Sequence, residues 1–255
     1  MELREVTAGY GGADVVKGIS LRFQPGEVTV LAGPNGCGKS TLLRAAARLL
    51  PLSGGQVLVD GADTAGWSSR TFARQAALLP QSRPMPEITV EALVLHGRFP
   101  YLGYPRRYGP ADRAAARSAM ERAGVLELAE RNVARLSGGQ RQKVYLAMAL
   151  AQDTPVLLLD EPTTFLDIGC QLELARLMRE TAAEGKAVVM VLHDLNLALG
   201  CAHRVAGVEE GRPRAWRRRW SPRRPLAQRS CMWSQPMCSL ARSTTGWRRL
   251  RPGSA

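Results

Sequence analysis

Nine consecutive residues dominate the sequence: Gly33-Pro34-Asn35-Gly36-Cys37-Gly38-Lys39-Ser40-Thr41. They match the pattern G-x-x-x-x-G-K-[ST], and they stand between a strand-like run at residues 28–32 and a helical segment at residues 40–50. Glycines at this spacing let several backbone N–H groups converge on phosphate oxygens, and a helix N-terminus adds partial positive charge. We therefore predict that residues 33–41, the phosphate loop, bind a nucleotide. Lys39 is expected to reach its β- and γ-phosphates, and Ser40 is expected to ligate Mg²⁺.

A second part of the same site is predicted where an apolar run ends in two acids. Val156–Leu159 has the length of a buried strand, and Asp160 and Glu161 follow it. Nucleotides bind beyond the carboxyl ends of parallel strands, so these carboxylates are expected at the nucleotide. Asp160 would hold Mg²⁺, directly or through water, and Glu161 would orient and deprotonate a water molecule beside the γ-phosphate. An apolar strand followed by Asp-Glu is a weak signal alone, but together with the phosphate loop it is a strong one.

The order of predicted elements indicates an α/β fold. Short strands precede the phosphate loop, helical spacing of Ala, Leu, Arg and Glu dominates residues 88–151, and a helix at residues 169–183 precedes another buried strand at residues 187–193. Strands that alternate with helices are typical of a parallel sheet.

The segment that points to a family is Leu136-Ser137-Gly138-Gly139-Gln140. With this signature segment, the chain resembles the ATP-binding subunits of ABC transporters. The resemblance covers about residues 1–210, and the motifs occur in the family's order. It implies a P-loop NTPase (RecA-like) core, an N-terminal antiparallel β subdomain and a helical subdomain that carries the signature segment.

The resemblance also implies roles for four single residues. Tyr10 matches the aromatic residue that stacks on adenine. Gln81 matches the glutamine that senses the nucleotide, contacts the metal ion and faces the permease. His193 matches the histidine that contacts the γ-phosphate, and Asp167 matches the aspartate of the loop after the catalytic glutamate. The implied catalytic set is Glu161, His193 and Gln81.

The resemblance further implies a head-to-tail homodimer. The hydroxyl of Ser137 and the amides of Gly138 and Gly139 would form a second phosphate-binding helix terminus, continued by Gln140. In this family the phosphate loop and the signature segment face each other only across the dimer, so that two ATP molecules are buried between two subunits. ATP binding closes that dimer and hydrolysis releases it.

Five stretches are most like the ATPases that drive ferric-siderophore import, and more broadly haem and cobalamin import. They are Gly33–Gly38, Gly97–Tyr101, Ala151–Pro155, Asp160–Asp167 and Val189–Asn196. The implied partners are integral-membrane permease subunits and, indirectly, an extracytoplasmic substrate-binding protein. The implied location is the cytoplasmic face of the inner membrane, where the chain would be peripheral.

Membrane and metal signals are weak elsewhere in the chain. The longest apolar runs are well short of the roughly 20 residues that span a bilayer, and the first residues lack the apolar core of a signal peptide. The five cysteines form no CxxC pair, which fits reduced thiols in a cytosol.

The net positive charge of the chain comes almost entirely from its last 45 residues. The formal net charge is +13, of which residues 211–255 supply +12 through 12 arginines and no acids, so that residues 1–210 are nearly neutral. We expect one ATPase domain over residues 1–206, with a helical subdomain at about 86–150, followed by an aberrant basic tail over 207–255.

Three interpretations of that tail stay open. It binds nucleic acid or anionic lipid, it is a disordered extension, or it is translated out of frame, which the sudden loss of all acids favours. The alternative functions follow from these interpretations. They are a soluble ABC ATPase that acts on nucleic acid or ribosomes through the tail, and a non-functional frameshifted product. One phosphate loop, one signature segment and no heptad run favour the transport subunit, so nucleic acid is not an expected partner.

Overall fold

The computed structural model describes residues 1–81 and 85–214, which form ten strands, seven α-helices and three short 3₁₀ helices. The strands are β1 (Glu2–Tyr10), β2 (Ala13–Arg22), β3 (Val28–Ala32), β4 (Leu52–Val59), β5 (Ala62–Asp63), β6 (Ala76–Leu79), β7 (Val156–Asp160), β8 (Ala187–Val191), β9 (Arg204–Glu209) and β10 (Arg212–Arg214). The α-helices are α1 (Lys39–Ala46), α2 (Ser69–Ala73), α3 (Val90–His96), α4 (Pro110–Arg122), α5 (Gly138–Ala151), α6 (Ile168–Ala183) and α7 (Leu195–Cys201).

A six-stranded sheet forms the centre of the described chain, in the order β10-β9-β3-β8-β7-β6. The strands from β9 to β6 run parallel, and β10 is an antiparallel edge strand. Every residue of β3, β7 and β8 is buried, which is the pattern of parallel strands covered on both faces. The carboxyl ends of these three strands therefore meet at one edge of the sheet, where the predicted site residues follow. The predicted α/β fold is confirmed.

Two apolar clusters cover the two faces of this sheet. Successive strand residues alternate between them, so that Leu157 belongs to one cluster and Leu158 to the other. On the second face, α1 contributes Leu42 and Leu43 to a cluster that also holds Val6 of the antiparallel sheet. The phosphate loop is thus followed by a helix that is packed between partners rather than free at the surface.

The predicted N-terminal antiparallel β subdomain is the sheet β2-β1-β4-β5. The turn between β1 and β2 contains Gly11 and Gly12, both with positive φ, as a tight hairpin turn requires. On the other side of the parallel sheet, α3, α4 and α5 supply 14 of the 35 buried residues of the first cluster, and they lie within the region predicted to be helical.

The first helix is shorter than its sequence pattern suggests. The apolar spacing predicts a helix to residue 50, but α1 ends at Ala46 and Arg48 adopts a left-handed conformation with φ of 56°. The N–H of Leu49 donates to the carbonyl of Arg44 at 2.9 Å and closes the end of the helix. Leu50 stays buried without being helical, because the second cluster reaches beyond the helix end.

The domain boundary predicted after residue 206 lies within an element of the central sheet. It falls inside β9, which pairs with β3 as far as Gly207 and runs on to Glu209, and the hairpin then continues through Arg214. The edge of β3 has backbone groups that need partners, and β9 supplies them irrespective of composition. The rest of the predicted basic tail, residues 215–255, lies outside the described residues. Among residues 1–81 and 85–214, no helix has the length and apolar character to cross a membrane.

His203 fastens the start of β9 to the start of β3. Its backbone N–H donates to the carbonyl of Val28 at 2.8 Å, and its Nδ1 accepts the N–H of Val28 at 2.9 Å. Burial, helped by the nearby Arg179, lowers the pKa of His203, while the charge of Glu27 opposes that shift. Protonation would place a hydrogen on Nδ1, where it faces the Val28 N–H.

This geometry predicts a stability that falls on acidification. Because the folded chain disfavours the charged imidazole, the contribution of His203 is complete above the ordinary pKa of 6.5 and is lost as the pH falls through the lowered value. In His203→Asn, an amide oxygen can accept the same N–H without titrating. We expect the melting temperature of the wild-type chain to fall more steeply below about pH 6.5 than the melting temperature of the variant. Parallel melting curves would contradict this assignment.

Candidate nucleotide-binding site

The phosphate loop joins the end of β3 to the start of α1. Gly36 and Gly38 have φ of 77° and 101°, values that side chains rarely adopt. At Gly33 a Cβ atom would lie 2.1 Å from the carbonyl oxygen of Val208, so no other residue fits there. The loop is therefore held by its neighbours in a shape that brings the unsatisfied N–H groups at the start of α1 to its concave side.

The side chain of Lys39 folds back into the loop. Its ammonium group donates to the carbonyl oxygens of Gly33 at 2.9 Å and Pro34 at 2.7 Å, and lies 3.7 Å from Sγ of Cys37. The residue is only 5% exposed. A buried positive charge thus lies against two carbonyl oxygens of the loop.

Ser40 and Asp160 bring two oxygen atoms together beside this charge. The Ser40 hydroxyl donates to Oδ1 of Asp160 at 2.8 Å, and Asp160 is 1% exposed. Burial raises the pKa of Asp160, opposed by the Ser40 hydrogen bond and reinforced by the charge of Glu161. One carboxylate and one hydroxyl are oxygen ligands of the kind that Mg²⁺ prefers, with phosphate oxygens completing its shell. The residues present therefore fit this ion. Within the described ranges, no group of three or more His, Cys, Asp or Glu forms a separate metal cluster.

Glu161 is the meeting point of three strand ends. Gln81, two residues beyond β6, donates from Nε2 to Oε2 of Glu161 at 2.7 Å. Nε2 of His193, two residues beyond β8, lies 2.6 Å from Oε1. Glu161 itself has a left-handed backbone, with φ of 50°, and strained backbones of this kind cluster at functional sites. The structure thus brings the three predicted catalytic residues together.

The signature segment begins α5 with a capping box. The Ser137 hydroxyl accepts the N–H of Gln140, and the side-chain oxygen of Gln140 accepts the N–H of Ser137, both at 3.2 Å. Gly138 and Gly139 pack against Phe165, where an added Cβ would contact Phe165 atoms at 3.3 and 3.4 Å. Among the described residues, no recorded hydrogen bond or ion pair joins the signature segment to the phosphate loop.

Asp167 and Tyr10 have local partners within the chain. Asp167 caps α6 by accepting the N–H of Cys170 at 2.8 Å, and this bond lowers the pKa of the carboxyl group. Tyr10 is 48% exposed, and its hydroxyl accepts a hydrogen bond from Arg44 at 3.2 Å. Arg44 was not predicted from the sequence, although its place one turn after Ser40 on α1 could have indicated it.

A buried glutamine was also missed by the sequence analysis. Gln142 is 7% exposed, and its side-chain nitrogen donates to the carbonyl of Pro162 at 2.6 Å. It ties the helix of the signature segment to the loop that follows Glu161. A polar residue among the apolar positions of α5 was the available signal.

The cap of α5 leads to a stability prediction. In Ser137→Ala the helix loses the oxygen that accepts the Gln140 N–H, and we expect a loss of about 1 kcal/mol in the free energy of unfolding, measured in denaturant. Ser137→Asp keeps an acceptor and should retain most of that stability. An alanine variant as stable as the wild type would show that the cap contributes nothing.

Comparison with known proteins agrees with this arrangement of a P-loop ATPase site. The sequence pattern of the ABC transporter family matches residues 16–164, so the chain belongs to the ABC transporter family. The achromobactin transport ATP-binding protein CbrD of Dickeya dadantii is 47% identical over 207 residues, which are 80% of this chain and 77% of that protein. The ferric enterobactin transport ATP-binding protein FepC of Escherichia coli is 42% identical over 210 residues, which are 82% of this chain and 78% of that protein.

A solved structure extends the comparison to the fold. The dimeric ATP-binding cassette in a post-hydrolysis state bound to ADP and Pi is 28% identical, with a TM-score of 0.75, over 84% of this chain and 96% of that one. The family resemblance and the ATPase activity expected from the sequence are thereby confirmed.

Proposed function

We propose that this chain is the ATP-hydrolysing subunit that powers import of an iron chelate of the siderophore type through a permease. The convergence of Gln81, Glu161 and His193 supports the hydrolytic role. The name of one relative supports the chelate, since it is a ferric enterobactin transport subunit. The ATPase itself holds no chelate in this proposal, so the identity of the chelate is decided elsewhere.

The phosphate loop would hold the nucleotide. The ammonium of Lys39 now donates to two loop carbonyls, and the same donors can turn to β- and γ-phosphate oxygens. The N–H groups from Gly36 to Thr41 would supply further donors, reinforced by the partial positive charge of the α1 terminus. Tyr10, exposed and steadied by Arg44, would stack on the adenine.

Ser40, Asp160 and Gln81 would hold Mg²⁺. When bound, this ion neutralises charge that develops on the phosphates during hydrolysis. The Asp160 carboxylate accepts a hydrogen bond from Ser40, and it is buried away from solvent.

Glu161 would orient and deprotonate the attacking water. Its two oxygens are already held by Gln81 and His193, which fixes the direction in which a proton is accepted. The side chain of Glu161 is 15% exposed and that of His193 is 47% exposed. The carboxylate is thus sheltered, and the histidine is accessible to a γ-phosphate.

A head-to-tail homodimer would complete each site. The signature segment, Ser137 to Gln140, has an accessible helix terminus that one chain leaves without contact to its own phosphate loop. Asp167 lies on the loop that connects Glu161 to α6 and would report the state of one site to the other subunit. The dimeric solved relative supports this assembly.

The permease, the substrate-binding protein and the inner-membrane location follow from the same proposal. We place the chain at the cytoplasmic face of the inner membrane, held there by permease subunits, with the substrate-binding protein as an indirect partner. Action on nucleic acid would depend on the tail alone, which lies outside the described residues, whereas the relatives reported above are transport subunits.

Replacement of the proposed base tests the hydrolytic mechanism. In Glu161→Gln the amide keeps the shape of the carboxylate but cannot take a proton. We expect ATP binding to persist while kcat falls by about 100-fold or more, and an ATP-bound dimer to accumulate in size-exclusion chromatography. The surface variant Glu130→Gln serves as the control. Undiminished hydrolysis in Glu161→Gln would remove Glu161 from the role of base.

Import is tested in cells. In a strain that carries Lys39→Ala in place of the wild-type chain, we measure uptake of radioiron supplied as ferric enterobactin, as a ferric hydroxamate and as haem. Uptake of at least one chelate should fall to background while uptake of an unrelated sugar is unchanged. If all three chelates enter at the wild-type rate, the chelate assignment is wrong.

A further inference from the structure

The turn between β9 and β10 reaches back to the phosphate loop. The N–H of Gly211 donates to the carbonyl of Cys37 at 3.1 Å, and the carbonyl of Gly211 accepts the N–H of Lys17 at 2.7 Å. One residue of this turn therefore connects the middle of the phosphate loop to strand β2. This turn lies outside the sequence motifs of the nucleotide site.

Only glycine fits at the centre of this connection. Gly211 has φ of 72°, and an added Cβ would lie 1.9 Å from the carbonyl oxygen of Val15, a backbone atom that cannot rotate away. Gly61, in the turn between β4 and β5, has a similar φ of 82° but nothing within 4 Å of the same position. The two glycines share their backbone conformation and differ in what surrounds them.

The same hairpin also meets the loop at its first residue. The carbonyl of Val208 on β9 would be 2.1 Å from a Cβ at Gly33. The loop is thus held at Gly33 by β9 and at Cys37 by the turn. Residues 34–36, between these two points, are exposed, whereas Cys37 is buried.

The hydrogen bond at Cys37 has a consequence for the donors of the loop. In a trans peptide, the carbonyl of one residue and the N–H of the next point in opposite directions. A Cys37 carbonyl directed at Gly211 therefore turns the N–H of Gly38 away from the hairpin. That N–H is one of the unsatisfied donors at the start of α1.

We propose that Gly211 is a positioning residue for ATP binding: its N–H holds the Cys37 carbonyl so that the Gly38 N–H faces the phosphates. The inference rests on the proposed function of the phosphate loop. It assigns part of the ATP affinity to a turn that lies some 170 residues farther along the chain and contributes no side chain to the site.

The test compares Gly211→Ala with Gly61→Ala in the full chain. Both substitutions place alanine at positive φ, but only the first displaces the turn from Cys37. We expect Gly211→Ala to raise the KM for ATP and the Kd for a fluorescent ATP analogue by about tenfold, the scale of one lost hydrogen bond, with a smaller change in kcat. Gly61→Ala should leave both constants unchanged.

Two results would overturn the proposal. One is a Gly211→Ala chain that is folded and binds ATP with wild-type KM and Kd. The other is an equal rise in both variants, which would assign the effect to backbone strain in general. Lys39→Ala separates this inference from the proposed function, because a chain that keeps full ATP affinity without Lys39 would disprove the site itself.

Hydrogen exchange of the wild-type chain provides a test that does not depend on the variant folding. MgATP should slow amide exchange in the peptide that contains Gly211, while the peptide with the Asp60–Gly61 turn exchanges at the same rate as before. Equal rates with and without MgATP at Gly211 would show that the turn is not coupled to the loop.

Discussion

Complete burial of the central parallel strands is the constraint on which the site depends. Because β3, β7 and β8 are almost entirely apolar and covered on both faces, charged groups appear only where these strands end. Asp160 ends β7, His193 follows β8, and the phosphate loop follows β3. The hydrophobic effect that stabilises the sheet therefore also collects the charged groups at one edge. Ser40 and Asp160 come together because β3 and β7 end at this edge, and a hydrogen bond of 2.8 Å joins them.

Backbone conformations that are unfavourable alone are retained at this edge. Glu161 and Phe165 have left-handed backbones, which cost roughly 1–2 kcal/mol each for residues with a side chain. Gly33 and Gly211 instead permit a close approach of two backbones that would otherwise collide. In both cases surrounding strands keep the loop in place, and the result is a site whose donors and acceptors point inward before a ligand arrives.

The helical part of the chain is connected to this edge through one loop. Gln142 on α5 binds the carbonyl of Pro162, and Phe165 packs against Gly138 at the start of the same helix. The Glu161–Asp167 loop is therefore in direct contact with the start of the signature helix. Such a connection links the proposed chemistry at Glu161 to the surface by which a second subunit would bind.

The sequence itself determined the motifs of the site. Local patterns specify the phosphate loop, the strand before Asp160 and the capping box at Ser137, because each depends on residues close together in the chain. The loss of a regular sequence pattern after about residue 205 was less informative, since the boundary expected at residue 206 falls inside β9. A sequence pattern does not show that the backbone groups at the edge of β3 need hydrogen-bonding partners.

Only the tertiary structure decided which distant residues share the site. Gln81, Glu161 and His193 meet because β6, β7 and β8 end at one edge, and Gly211 reaches Cys37 because β9 pairs with β3. Pairing between strands far apart in sequence is stabilised by backbone hydrogen bonds and shared burial, which no local pattern encodes. The sequence therefore predicted which residue types form the site, while the fold determined their distances and the contacts that hold them in place.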